Sequence, residues 1–434
     1  MLVAHGSGPS GISHTFMKKP TLITASIVLS LVIAWQVVLV VGSHDTPPPD
    51  TSDLAVTRPL VPDADNAFVH FQAATKTFVW PEDNELLYDI LSDKTNDPAF
   101  ALALINSNRQ TIAEVELGTC CTHCQAPEFR GAAGDNAFIP SWNAMGLFLL
   151  FKARYERQAG DYAACAKTCA LLIRFGDLVQ KEPETLVQYL VGESTLQIGT
   201  WVARELATAD TVTADQLQSI GRQLSSVTPC AVGLTRAMKI SYRVEAQGVE
   251  DVVAARKLRG KSSYVFQPNA TKQLFASLHR RIIEDLGVPY SKVRLPDHHP
   301  LPQSGLGRLW WSLHPNAMGR MSVTVAFSNP DVYEWRAKFE TDLVGTRLLL
   351  ACRAFQLEKK ELPPLLDALV PAHIEKLPCD PYIDAPFRYA KEMGIVYSVG
   401  WNCVDDGGTD AEMKDERDGV CRAHPKDIVF RLRP

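Results

Sequence analysis

The chain is without the short signatures of the common catalytic devices. No GxSxG, HExxH or Walker loop occurs in its 434 residues, which removes the nucleophile elbow, the helix-borne zinc pair and the phosphate cradle. It is also short of positive charge: 44 Lys and Arg stand against 49 Asp and Glu, a formal net charge of -5. No basic tract exceeds a few residues, so nucleic-acid binding has no electrostatic basis. No unit recurs cleanly at a period of about 34 residues, which excludes a regular helical repeat array. No second CxxC or HxxxH pair accompanies the one at Cys121–Cys124, so a four-ligand zinc site lacks its other half.

An uninterrupted apolar run is present near the N-terminus. From Thr21 to Gly42 the sequence TLITASIVLSLVIAWQVVLVVG carries no ionisable side chain, and about twenty apolar residues suffice to cross a bilayer. Lys18 and Lys19 precede it, while His44, Asp45, Asp50 and Asp53 follow it. That bias predicts a cytoplasmic N-terminus and a C-terminal region outside the cytoplasm. An uncleaved anchor is the expectation, and a signal peptide cut after Val40-Val41-Gly42 is its rival.

Beyond the run, SHDTPPPDTSDLAVTRPLVPDAD reads as a spacer too poor in apolar residues to pack. From Asp63 apolar positions recur at helical spacing, as at Ala67, Phe68, Phe71 and Ala74. The stretch from Met145 reads as two helices joined at Gly160-Asp161, and Thr213 to Gln216 has the form of a capping box. A helix is predicted over 271–286 and a long one from Asp331 to about Lys359, after which short strands and turns follow. With 46% hydrophobic and 21% charged residues, the bulk is globular and, at this length, divides into two folded regions.

Ten cysteines outside the cytoplasm are expected to reach disulfides or the core. CCTHC, at 120–124, gathers three thiols and His123, and Cys165 and Cys169 sit four apart on one helix face. Asp297-His298-His299 matches the triplet of the DHH phosphoesterases, inside a proline-rich loop. These two clusters sustain an alternative expectation, a metal-dependent hydrolase of the cell envelope. Trp310-Trp311 fits either a core position or a membrane surface.

The most chemically loaded stretch is YSVGWNCVDDGGTD, 397–410. Its spacing is not that of an EF-hand, since Val404 and Met413 fall on ligand positions. Asn402, Asp405, Asp406 and Asp410 beside two glycines fit either a solvated turn stapled by Cys403 and Cys421 or an oxygen cage for a hard cation.

In order and spacing, the helix to Lys359, Leu362-Pro363, Leu377-Pro-Cys-Asp-Pro381, Phe387-Arg-Tyr389, Tyr397-Ser-Val-Gly400, Asp406-Gly-Gly408 and Asp427-Ile428 resemble the C-terminal region of type II secretion major pseudopilins. The resemblance covers roughly the last hundred residues. It implies an α+β module with a calcium loop whose ligands fall on Asn402, Asp405, Asp406 and Asp427. Asn402 stands where that family has aspartate, and the family's prepilin cleavage sequence is absent, so polymerisation is not implied. The whole arrangement also resembles a group of bacterial membrane-anchored proteins of unassigned activity that end in a DDGG loop.

The expectation is therefore a mainly α protein of the bacterial cytoplasmic membrane. In order it comprises a cytoplasmic N-terminus (1–20), a transmembrane helix (21–42), a linker (43–62), an irregular helical-hairpin domain (63–330) and a small pseudopilin-like α+β module (331–434). Its expected partners are the membrane, through this single anchor, and an unidentified envelope protein.

Overall fold

A computed structural model of the chain describes residues 19–432 apart from 43, 83, 93, 130–135, 259–265, 294–304, 306, 308–313, 327–330 and 416–421. It is mainly helical, with a small antiparallel sheet near the C-terminus. The helices are α1 (Lys19–Gly42), α2 (Ala67–Thr77), α3 (Asn84–Leu91), α4 (Pro98–Ser107), α5 (Arg109–Thr119), α6 (Phe138–Gln158), α7 (Tyr162–Lys181), α8 (Leu186–Ala207), α9 (Ala214–Ser225), α10 (Cys230–Leu258), α11 (Pro268–Asp285), α12 (Ala317–Ala326) and α13 (Asp331–Lys359).

The expected run does form one helix, the 24-residue α1. Its described side chains Ile27, Val28, Leu29, Leu31, Val32, Ile33 and Val37 are each between 50% and 65% exposed. These residues cover all sides of the cylinder, since successive positions turn by about 100°. Side chains in α1 are described only at 24 and 26–37. Among the described residues no helix is long and apolar enough to cross a membrane.

At the centre, α6, α7 and α8 pack as successive antiparallel hairpins. Gly160, at φ +77°, turns the chain between α6 and α7, and the Asp161 carboxylate then accepts from Ala164 N at 2.9 Å to start α7. Backbone meets backbone where α7 crosses α8 and α10. A Cβ on Gly192 would lie 2.5 Å from Gln180 N, and one on Gly233 would lie 2.1 Å from Gln180 O. No side chain fits at that spacing, so these glycines set the distance between three helices. The capping box at Thr213 and Gln216 forms as its spacing predicts.

One hydrophobic cluster runs from α2 through α9 into α13 and on to Phe387, Val396, Phe430 and Leu432. The expected division at 330/331 is thus one of chain order, and the packing runs across it. Strands β1 (Arg388–Ala390), β2 (Ile395–Ser398) and β5 (Ile428–Arg431) form an antiparallel sheet in the order β1-β2-β5, and β3 (Glu412–Asp415) pairs with β4 (Arg422–Pro425). Val396 faces Phe430 in register, and the sheet lies against α13.

The 44–62 stretch has little regular structure but is fixed along the α10 and α11 side of the domain. Asp45 accepts from Asn269 N at 2.7 Å and Ala270 N at 3.0 Å, capping α11 where Gln267 provides no side-chain cap. Arg280 holds Asp53 through Nε at 2.8 Å, and Leu54 is buried with Tyr242 and Phe275. Polar contacts do the holding that apolar content does not.

Replacing Gly192 by Ala is expected to destabilise the fold by about 1–3 kcal/mol or more, because the added methyl overlaps backbone rather than a movable side chain. A drop in thermal midpoint checks this; an unchanged midpoint would contradict the close approach.

Candidate functional site

The acidic loop leaves β2 through left-handed turns at Gly400, Cys403, Gly407 and Gly408. At Gly408, φ is +77° and a Cβ would lie 2.5 Å from Ile395 Cδ1, so glycine is required there on two counts. Asp427, fully buried, accepts from Gly408 N at 2.8 Å, Thr409 N at 3.2 Å and Asp406 N at 3.4 Å. Its own N–H donates to Thr409 O at 2.9 Å. Asp427 is therefore the peg around which the loop turns.

The other carboxylates find donors too. Asp405 receives Arg388 Nε, Tyr397 Oη and Gly407 N, each at 3.1 Å. Asp406 receives Asn402 Nδ2 at 2.8 Å and pairs with Lys426 at 3.4 Å. Asp410 pairs with Arg431 at 2.7 Å. Partial burial raises the Asp405 pKa, but Gly407 N, Tyr397 and Arg388 outweigh it and hold the carboxyl below its ordinary value. Burial pushes Asp427 up, against the N–H groups that it accepts.

The four expected ligands Asn402, Asp405, Asp406 and Asp427 thus lie around one loop, with counter-charges supplied by the protein. The Asn402 amide turns its nitrogen to Asp406 and its oxygen to Val404 N, at 3.0 Å. Among the described residues no group of three His, Cys, Asp or Glu side chains is placed to hold a metal. Cys403 is free and Cys421 lies outside the described residues, as do Asp297-His298-His299 and Trp310-Trp311. All nine described cysteines are free thiols.

A neighbouring piece of the pseudopilin-like pattern has a clear mechanical role. Asp380, in Leu377-Pro-Cys-Asp-Pro381, accepts from Tyr382 N at 3.0 Å, Ser398 Oγ at 2.9 Å and Val399 N at 3.0 Å. One buried carboxylate therefore ties the proline-containing link to the turn that opens the acidic loop.

CCTHC is a packed connection. His123 Nδ1 lies 2.9 Å from Glu182 Oε1, and the His123 carbonyl accepts from Ala67 N at 2.8 Å. Cys121 and Cys124 are buried, and burial raises both thiols, Cys124 strongly; on α7 it pushes Cys165 up to about 12. Thiols held protonated are poor metal ligands and poor nucleophiles.

A second cluster escaped the sequence reading. Glu193 on α8 is buried beside Tyr189, one turn earlier, and Cys230, the first residue of α10. Burial pushes Glu193 up to about 7, with the Cys230 thiol and Tyr189 hydroxyl pulling the other way. Tyr189 Oη and Glu193 Oε1 have no partner within bonding geometry. Cys230 also lines a cavity of about 410 Å³ with Arg336, Glu340, Arg347 and Asp380. An adjoining cavity of about 590 Å³ shares Ser225 and Arg347 and runs between α9, α13 and residues 371–376. The signal for the cluster is a glutamate inside the apolar run of α8; its partners on other helices have none.

No family model, characterised protein or solved structure matches the chain.

Glu193 carries a worked pH dependence. Below about 4.5 its carboxyl is protonated in both states, and between 4.5 and about 7 only the unfolded chain ionises. Stability contributed by this group therefore falls as pH rises across that window and levels off above it. Glu193→Gln is expected to gain on the parent from pH 4.5 to pH 8 by on the order of 3 kcal/mol, at about 1.4 kcal/mol per pKa unit. Thermal midpoints of both proteins at the two pH values measure it, and a constant difference would contradict the assignment.

Proposed function

We propose that the chain is a single-pass protein of the bacterial cytoplasmic membrane whose helical region and C-terminal α+β module act, outside the cytoplasm, as a scaffold for another envelope protein. The observation that carries this reading is α1. It is apolar around its circumference, and its described side chains other than Trp35 are exposed. Seven large apolar side chains exposed together would be costly in water, at about 25 cal/mol per Å², and a bilayer removes that cost. The uninterrupted run 21–42 and the lysines before it add length and orientation.

The elongated groove along α13 supports the scaffold part. Its two adjoining cavities are lined by Arg222, Arg336, Arg347 and Lys376 and by Glu340, Glu375, Asp380 and Asp384. A partner segment carrying both signs of charge suits such a lining. The pseudopilin-like tail connects the reading to secretion through motif residues alone.

Calcium belongs to the same proposal as the ion for which Asp405, Asp406, Asp427 and the Asn402 amide oxygen would supply donors. Support comes from the oxygen-rich, glycine-turned loop; against it stand Arg388, Lys426 and the N–H groups that already occupy these oxygens. The full chain in lipid discs should melt higher in calcium than in chelator, by mass action, and Asp406→Ala with Asp427→Ala should remove the difference. Equal midpoints would leave the loop's own ion pairs and N–H cradle as its fastening. Stoichiometric zinc or manganese in the purified chain would replace the scaffold reading with the hydrolase.

A reporter active only outside the cytoplasm, fused after Pro434, is expected to function and to remain in the membrane pellet after alkaline extraction. Release of a shortened soluble chain would overturn the anchor.

A further inference from the structure

Resting on the membrane reading above, the geometry points to a second lipid contact: we propose that the outer face of α12 lies on the bilayer surface and fixes how the ectodomain stands on the membrane.

The argument begins with chain length. Asp45 is fixed to the first turn of α11 by its bonds to Asn269 N and Ala270 N, and His44 O accepts from Gln267 Nε2 at 3.2 Å. Asp45 lies three residues beyond Gly42, the end of α1. Three residues reach at most about 11 Å, even fully extended. The headgroup layer on one side of a bilayer is about 5–8 Å deep. The first turn of α11 is therefore held in or against the headgroups once α1 spans the hydrocarbon.

The first turn of α12 is fastened to that same turn. Asn316 Oδ1 accepts from Gln267 N at 2.9 Å and from Thr271 Oγ1 at 3.1 Å, and a Cβ on Gly319 would lie 1.9 Å from Thr271 Oγ1. The two helices start together at the membrane end of the domain.

The face that α12 turns outward is unlike an ordinary solvated face. Asn316, Ala317 and Gly319 are buried, and Val323 packs on the cluster of Phe275 and Ala276. Met318, Met321 and Val325, at i, i+3 and i+7, are 43%, 40% and 68% exposed. Only Ser322 adds a polar group to that stripe. The helix carries no carboxylate and one basic residue, Arg320, so nothing on it repels anionic headgroups. An apolar stripe at headgroup depth, beside the point where the chain leaves the membrane, fits a helix lying in the interface plane.

Methionine oxidation reads this contact directly, because a sulfur buried against lipid reacts more slowly than one in water. With the full chain in lipid nanodiscs at one copy per disc, peroxide should oxidise Met318 and Met321 at least about five-fold more slowly than Met393, which is 57% exposed in the C-terminal module. Val325→Glu, which changes only the outer face, should bring their rates up to that of Met393 while the chain stays in the membrane after alkaline extraction. Comparable rates for all three methionines in the unsubstituted, membrane-retained chain would overturn the contact and leave the anchor standing. Loss of the chain from the membrane would overturn the anchor and this inference with it. Protection that arises only at two copies per disc would assign the face to self-association and overturn the lipid contact.

Discussion

A single buried carboxylate, Glu184, ties together parts of the chain that lie far apart in sequence. It sits in the joint between α7 and α8, 1% exposed, and draws in Arg58, Arg236 at 2.9 Å and Arg243 at 3.3 Å, with Phe129 N at 3.4 Å. Those partners come from residues 44–62, a strap along the domain, from α10 and from the connection after CCTHC. A charge so far from water is tolerable only when paired and hydrogen-bonded, and removing a guanidinium leaves the buried carboxylate with less of that compensation. The arrangement forces strap, connection and α10 to arrive together. The glycine contacts at Gln180 work at the same joint, because they let α10 come near enough for Arg236 and Arg243 to reach.

What could be read from the sequence was whatever depends on neighbours along the chain. The bounds of α13, the Gly160-Asp161 turn and the Thr213 capping box follow from local periodicity and local donors, and each appears where its residues predict. The strap's contacts carry no hydropathy signal, because Asp45, Asp53 and Arg58 are held by partners more than a hundred residues away, or by Ala126 O. From its residues alone the acidic loop fits a solvated turn or an oxygen cage for a cation. In the fold Arg388, Lys426 and Arg431 come from flanking strands and turns to neutralise its carboxylates, and Asp427 is cradled by backbone N–H groups, a device with no side-chain signature. Glu193 stood in plain view within α8, but its environment is made by Cys230 and Glu340 on other helices.

The C-terminal module shows how a few polar atoms discipline a small sheet. Strands of three and four residues have little cohesion of their own. β2 is buried along its length between β1 and β5, and a Cβ on Gly345 of α13 would lie 2.1 Å from the Phe430 ring, so the sheet sits almost on the helix backbone. Asp380 and Asp427, one at each end of the turn that follows β2, then hold the loop by accepting N–H groups that would otherwise be orphaned.

The strap also gives the helical domain a particular response to mechanical load. Whatever secures α1, a pull applied to the domain reaches it through Asp45 on α11 first, next through Asp53 on Arg280, and last through Arg58 on Glu184. These latches lie in series along one extended segment, so tension opens them one after another, as a zipper does, instead of shearing all at once. The first is half-buried, the second exposed and the last buried. Small forces would thus lengthen the tether by a few residues and leave the helical core intact, giving the domain a compliant first stage before any part of it unfolds.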